Sequence, residues 1–191
     1  MSRLLFDYDP PERFVAGTVG QPGSRTFFLQ ARTGSRLTSV VLEKQQVSVL
    51  AERVDELLDE VVRRSGGSAP VPALAPADAE DTDPLDTPIE EEFRVGAMSL
   101  AWDSEADRVV IECFAEGTPI DEDEEDEDED GDDGEEPDGA VLRVSISGTT
   151  ARAFAKRALA VVAAGRPPCP FCSTPLDPQG HICPRANGYR R

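Results

Sequence analysis

The chain has 191 residues, with 38 acidic and 19 basic side chains and a formal net charge of −19. The segment Asp121 to Glu136 holds 14 acids in 16 residues, so the other 24 acids and 19 bases leave about −5, an ordinary value for a soluble domain. No stretch approaches the ~20 apolar residues of a membrane span, and residues 1–14 lack the apolar run of a signal peptide. With four cysteines, which fit a reducing compartment, these features predict a cytoplasmic protein with no membrane contact.

The first half of the chain predicts three strands and a helix. Residues 13–19 and 25–31 have the composition of strands joined by a tight turn at 21–24. A third strand covers 37–42, and a helix follows from about residue 46 to the Ser-Gly-Gly at 65–67. The helix is predicted from one apolar stripe at helical spacing, made of Val47, Leu50, Val54, Leu57, Leu58, Val61 and Val62.

The segment 65–88 is rich in Pro, Ala and Asp. Its five prolines are Pro70, Pro72, Pro76, Pro84 and Pro88. Because proline lacks an amide donor and restricts the residue before it, we expect a linker without regular structure here.

The second half of the chain repeats the pattern of the first. Phe93-Arg94-Val95-Gly96 corresponds to Phe14-Val15-Ala16-Gly17, residues 108–113 form the next strand, and residues 103–107 form the turn before it. A third strand covers 142–147, and a helix capped by Thr149 or Thr150 runs to Ala164. Each half is therefore predicted to be strand, strand, strand, helix.

These elements predict an α+β fold in which two βββα units form one domain, residues 1–165. The first repeat covers about 13–64, the linker 65–88, and the second repeat about 89–165. One βββα unit leaves a sheet face and a helix stripe half covered, and a second copy covers them. An acidic insertion at 117–139 interrupts the second repeat, and its charge density predicts disorder. The insertion is interpreted as a solvated loop or as a segment that attracts a basic partner by its negative charge.

The one chemically specific motif lies in residues 166–191, which we expect to form a small zinc-ribbon or zinc-knuckle tail. Cys169 and Cys172 form a Cys-x-x-Cys pair, and His181 and Cys183 follow after a turn rich in Pro and Gly. Three cysteines and one histidine are a standard structural zinc set, and four protein ligands leave no open position for catalysis. The sequence therefore predicts a structural Zn²⁺ site at Cys169, Cys172, His181 and Cys183.

Two other uses of this motif stay open. Cys-Pro-Phe-Cys also occurs in thiol-redox centres, in which the first cysteine lies exposed at a helix N-terminus. Residues 173–180 contain two prolines and a glycine, however, and are poor helix formers.

The second alternative is nucleic-acid binding. A zinc ribbon can bind nucleic acid, and Arg185, Arg190 and Arg191 supply cations near it. Three charges give little affinity at physiological salt, so nucleic acid is the weaker partner.

The residue inventory argues against catalysis. His181 is the only histidine in the chain, and a metal ligand cannot serve as a general base in a Ser-His or Cys-His site. No glycine-rich phosphate loop occurs between a strand and a helix. Asp7, Asp9 and Glu12 flank two prolines and indicate a solvated turn. Cys113 lies in an apolar run and is expected to be a buried small side chain.

Both ends of the chain carry a family resemblance. Residues 4–14 (Leu-Leu-Phe-Asp-Tyr-Asp-Pro-Pro-Glu-Arg-Phe), the acidic interruption, and the ending with Cys-Pro-Phe-Cys and His-Ile-Cys-Pro-Arg resemble an actinobacterial family of small repeat-containing proteins of unknown activity. The resemblance implies a cytoplasmic protein without assigned catalysis. The chain is also similar to proteins of the ParJ type, which implies association with a ParA-type chromosome-partition ATPase. The function expected is therefore a non-enzymatic zinc-binding interaction or regulatory protein.

Overall fold

The computed structural model describes residues 3–118, 139–166, 168–176 and 180–185. Within these ranges the chain forms seven strands, two α-helices and one short 3-10 helix. The strands are β1 (Leu4–Tyr8), β2 (Arg13–Val19), β3 (Thr26–Thr33), β4 (Arg36–Leu42), β5 (Glu91–Asp103), β6 (Arg108–Ala115) and β7 (Ala140–Ser147). The helices are α1 (Lys44–Arg64) and α2 (Gly148–Ala163), and the 3-10 helix covers Ala77–Ala79.

All seven strands belong to one sheet, in the order β1-β7-β6-β5-β4-β3-β2. Strands β2, β3 and β4 pair antiparallel in succession, and so do β5, β6 and β7. At the centre β4 and β5 are parallel, joined by a crossover that contains α1. The N-terminal strand β1 pairs in parallel with β7, so β1 and β2 form opposite edges of the sheet although they are consecutive in the chain.

The sheet is strongly curled, as the connection between its two edges requires. Six strand spacings of about 4.8 Å would separate the edges of a flat sheet by about 29 Å. The chain from Tyr8 to Arg13 spans at most about 18 Å. Side chains meet across the curl, since the Tyr8 hydroxyl of β1 lies 2.8 Å from the Thr38 hydroxyl of β4. The concave face is therefore the one that carries Tyr8.

The main hydrophobic core lies on this concave face, under both helices. It joins Tyr8 with inward residues of β2 to β7 and with the apolar sides of α1 and α2. The rings of Phe14 and Phe154 stack at 4.6 Å between β2 and α2. The predicted stripe of α1 is confirmed at Val47, Leu50, Val54 and Leu58, which are buried. Burying such a side chain stabilises a fold by about 1.5–3 kcal/mol.

The segment between α1 and β5, residues 65–90, is fixed to the body of the protein and is called the strap below. Asp81 of the strap accepts from Arg13 Nε at 2.6 Å and from Arg157 Nη1 at 2.7 Å. Arg157 Nε also donates to the backbone carbonyl of Ala16 at 2.8 Å. This carbonyl belongs to the edge strand β2. Because it already accepts a hydrogen bond from Arg157, it is not available to pair with a strand of another chain.

Beyond Asp81 the strap reaches the convex face of the sheet. There Leu85 forms a second buried cluster with Val15, Phe28 and Val41. A Cβ atom on Gly17 would lie 2.6 Å from Leu85, closer than packed carbon atoms tolerate. Glycine at position 17 therefore makes room for the strap.

The α+β class and the predicted central elements are confirmed by the structure. In chain order, β2, β3, β4 and α1 are followed by β5, β6, β7 and α2. The origin of these two sets in a duplication stays a prediction. The acidic run 121–136 lies outside the described residues. Among the described helices, none combines the length and the apolar character needed to cross a membrane.

Three local predictions differ from the structure. Asp7, Asp9 and Glu12 were predicted to lie in a solvated turn, but Asp7 belongs to β1, where pairing with β7 satisfies the backbone groups of the strand. The N-cap of α2 is Ser147, whose side chain accepts from the Thr150 N–H at 3.2 Å, whereas Thr149 or Thr150 was predicted. The linker was expected to lack regular structure, but Ala77–Ala79 form a 3-10 helix within the strap.

Candidate metal centre

The four predicted ligands come together near the C-terminus, in residues 166–185, which we call the Cys/His module. The sulfur atoms of Cys169, Cys172 and Cys183 and a ring nitrogen of His181 all lie within 4.8 Å of one another. Cys169 and Cys183 are 2 % and 0 % exposed, and their Sγ atoms are 3.8 Å apart. Two sulfurs bound to one tetrahedral ion at about 2.3 Å would be about 3.8 Å apart. The four residues are close enough to bind a metal ion.

The first ligand pair is held by a tight turn. The N–H of Cys169 donates to the carbonyl of Thr174 at 2.8 Å, and the N–H of Ser173 donates back to the carbonyl of Cys169 at 2.8 Å. Pro168 and Pro175 form an antiparallel bridge at the base of the turn. Ser173 adopts a φ of 61°, in the left-handed region that favours glycine. This turn brings both sulfurs of the Cys-x-x-Cys pair to the same side.

The second ligand pair follows Gly180, whose φ of 75° suits a residue without a side chain. His181 Nε2 lies 3.1 Å from Cys172 Sγ, so the imidazole of the second pair faces a sulfur of the first. Arg185 ties the two halves together, because its Nη1 donates to the carbonyl of Phe171 at 3.3 Å. His181 Nδ1 is buried, and no described residue offers it a hydrogen-bond partner.

Hydrogen-bond donors and burial change the pKa values of two of the thiols. The side chain and then the backbone N–H of Thr174 lower the pKa of Cys172 to about 6. Burial raises the pKa of Cys183, although the backbone N–H of Arg185 donates to its sulfur. Thr174 follows Cys172 by two positions, and Arg185 follows Cys183 by the same spacing. Cys172 is therefore prepared as a thiolate at neutral pH, whereas the buried Cys183 thiolate needs a cation beside it.

The arrangement does not supply what a thiol-redox centre requires. Such a centre exposes its first cysteine at the N-terminus of a helix. Here Cys169 is buried, and Cys172 is the more exposed of the pair. Within the described part of the module, no helix follows the Cys-x-x-Cys turn.

The remaining candidate residues lie apart from this centre. Cys113 is on β6 in the main core, and burial raises its pKa to about 12. Asp9 lies 3.8 Å from Arg108, and Glu12 lies 3.2 Å from Arg32, so these two acids form ion pairs and no carboxylate pair is seen. Of the three arginines considered as a contact for the weaker alternative, nucleic acid, Arg190 and Arg191 are outside the described residues.

Sequence reasoning missed two kinds of residue. The first is the pair of residues that donate hydrogen bonds to the cysteine sulfurs, Thr174 and Arg185. Each lies two positions after a ligand cysteine, and this shared spacing could have indicated them. The second is the set of strap contacts to Arg13 and Arg157. These join residues 68 and 76 positions apart, and no local pattern marks such pairs.

Neither the curated proteins nor the solved structures include a match to this chain. A family described as "Protein of unknown function (DUF3090)" matches residues 6–183, which include β2 to β7, both helices and all four Cys/His ligands. The chain therefore belongs to the DUF3090 family of proteins of unknown function.

Proposed function

We propose that this protein is a non-enzymatic zinc-binding protein that acts through a partner protein. The observation that carries the proposal is the set of four ligand atoms within 4.8 Å of one another. Four protein ligands fill a tetrahedral ion and leave no position for water or substrate. The metal then has a structural role, which is to hold together the Cys/His module that supplies all four ligands.

The donor set favours zinc over other ions. Thiolates and imidazole are soft or borderline ligands, and tetrahedral sets of three sulfurs and one nitrogen are typical of zinc. The hard ions Ca²⁺ and Mg²⁺ prefer oxygen ligands. No described residue of the module belongs to either hydrophobic cluster. Metal binding, with a free energy on the order of 10 kcal/mol, would replace the missing core.

The same histidine argues against catalysis. His181 is the only histidine of the chain and lies in the cluster. A zinc-bound imidazole cannot take up a proton from a substrate. We therefore assign the protein to interaction or regulation, with the ParA-type ATPase implied by the family resemblance as the first partner to test.

The metal is tested with purified full-length protein. We expect about one zinc per chain by elemental mass spectrometry, and a complete loss of zinc in Cys172→Ser. The far-ultraviolet circular dichroism should be nearly unchanged, because α1 and α2 belong to the main core. Cys113→Ser is the matched control and should keep its zinc. Full zinc occupancy in Cys172→Ser would show that the ligand assignment is wrong.

The partner is tested by affinity capture from native lysate with intact protein and Cys172→Ser side by side. We expect one protein to be retained by the intact form and lost with the variant. The purified ParA-type ATPase is then tested for direct binding. Retention of DNA or RNA that weakens steeply with salt would replace the protein partner by a nucleic acid.

A further inference from the structure

We propose that a groove beside the Cys/His module binds a small amphiphilic anion, a carboxylate or phosphate carried on an apolar group. The groove lies between the β2–β3 turn, the start of α1, the end of α2 and the module. Its volume is about 510 Å³, within the range of about 300–1,000 Å³ that is typical of small-molecule sites.

The charge of the groove is opposite to that of the protein. Arg25, Lys44 and Arg166 line it, and its described lining contains no acidic residue. The chain as a whole has twice as many acids as bases. Three other grooves on the described surface each include at least one acid, among them Asp81 and Asp86. A concentration of cations without acids is therefore a local property of this groove.

Two of these cations have no counter-ion among the described residues. Arg25 and Lys44 make no ion pair and no side-chain hydrogen bond with a described residue. The arginines that contact the strap behave differently: Arg13, Arg152 and Arg157 each bind a carboxylate. Lys44 is also the first residue of α1, whose first turn has no acid.

The rest of the lining is apolar and open. Phe27, Val162 and Pro175 contribute hydrophobic surface beside the cations. Gly165 lies at the same groove, and a Cβ atom there would be 3.6 Å from Lys44 Nζ. A larger residue at position 165 would therefore fill space next to the ammonium group. A lining that combines cations with apolar side chains fits an anionic head group joined to an apolar moiety.

The Cys/His module supplies one wall of the groove through Pro175. This residue bridges Pro168 and follows Thr174, whose carbonyl accepts from the N–H of Cys169. Its position is thus fixed by the turn that carries the first ligand pair. This step rests on the proposed metal centre, and it predicts that metal binding strengthens anion binding.

A purely structural role for the cations makes a different prediction. The last turn of α2 has no basic residue, so Lys44 near Gly165 could offset the negative end of that helix dipole. In that case a charge-removing substitution at Lys44 would lower the melting temperature, and no anion would bind. The two roles are therefore separable by measuring binding and stability on the same proteins.

The test is calorimetric titration of zinc-loaded full-length protein with octanoate, octyl phosphate, octanol and inorganic phosphate. We expect octanoate or octyl phosphate to bind about tenfold or more tightly than octanol and inorganic phosphate, since a charge-assisted hydrogen bond is worth about tenfold or more in affinity. The stronger of the two anions identifies the head group. Equal binding of octanol, or no binding of either anion at millimolar concentration, would overturn the proposal.

Substitutions of the groove cations test whether the anion binds in this groove. Lys44→Gln and Arg25→Gln should each weaken binding about tenfold, whereas Arg53→Gln, which removes one charge from the exposed face of α1, should change it less than about twofold. Unchanged binding in both groove variants would overturn the proposal. Zinc content is measured on every sample: protein that holds zinc but binds neither anion refutes the groove alone, and protein that binds the anion without ever holding zinc refutes the metal centre alone.

Discussion

Arg152 of α2 donates to the Asp55 carboxylate of α1 at 2.8 Å, and the arginine side chain is only 7 % exposed. The same guanidinium reaches Asp59 and the carbonyls of Asp55 and Pro72. Arg152 therefore joins both helices to the strap at one point. Its charge is compensated by four acceptors, so its burial is tolerated only while they are in place.

We predict that Arg152→Ala lowers the free energy of unfolding by about 2–4 kcal/mol, because it leaves Asp55 and two backbone carbonyls without their donor. Urea unfolding monitored by circular dichroism measures this change. Arg53→Ala on the same helix pair serves as control, since its ion pair with Glu56 is exposed and should be worth less than about 1 kcal/mol. Equal losses in the two variants would contradict the role given to Arg152.

The second prediction concerns the contact between the strap and β2. Gly17→Ala should lower the free energy of unfolding by about 1–3 kcal/mol, because the new methyl group overlaps Leu85, whose carbon atoms would be 2.6 Å away. The double variant Gly17→Ala with Leu85→Ala should lose less than the sum of the single variants, since the second change removes the overlap. Additive losses would mean that the two residues do not share this space.

A third prediction is the acid dependence of the strap. Hydrogen bonds from Arg13 hold the pKa of Asp81 below its usual value. A carboxylate whose pKa is lower in the folded state stabilises the fold at pH values above its unfolded-state pKa of about 3.9. This stabilisation is lost as the pH falls through the pKa of the folded state. We therefore expect Asp81→Asn to lower stability at pH 7 and to flatten the fall in stability below about pH 4.

Urea midpoints measured between pH 7 and pH 3 test this expectation. Asp78→Asn, the same change three residues earlier at an exposed position of the strap, should follow the wild-type curve. A parallel shift of the Asp81→Asn curve over the whole pH range would show that the carboxylate is not linked to acid unfolding.

A fourth prediction concerns the acidic run. Thr118 and Gly139 flank it, and a Cβ atom on Gly139 would lie 2.3 Å from Thr118 Oγ1, so the two ends of the described chain adjoin. Replacing residues 121–136 by two glycines should therefore change the melting temperature by less than about 3 °C, since loop closure depends weakly on length. Differential scanning calorimetry measures this, and a much larger drop would assign the run a structural role.

Much of the fold was predictable because its signals are local. The stripe of α1 follows from the helical period and is confirmed, since Val47, Leu50, Val54 and Leu58 are buried. The strand Leu4–Tyr8 was missed because five residues beside two prolines carry little local preference. Only pairing with β7, more than 130 positions away, makes it a strand.

The sequence by itself determined the Cys/His cluster and the α+β composition, because both depend on residue types at short, fixed spacings. The tertiary structure alone decided three features: the curl of the sheet, the course of the strap along the edge strand β2, and the gathering of Arg25, Lys44 and Arg166 around one groove. Each of these depends on contacts between distant segments. Such contacts are selected by packing and charge compensation over the whole chain, and no short pattern of residues encodes them.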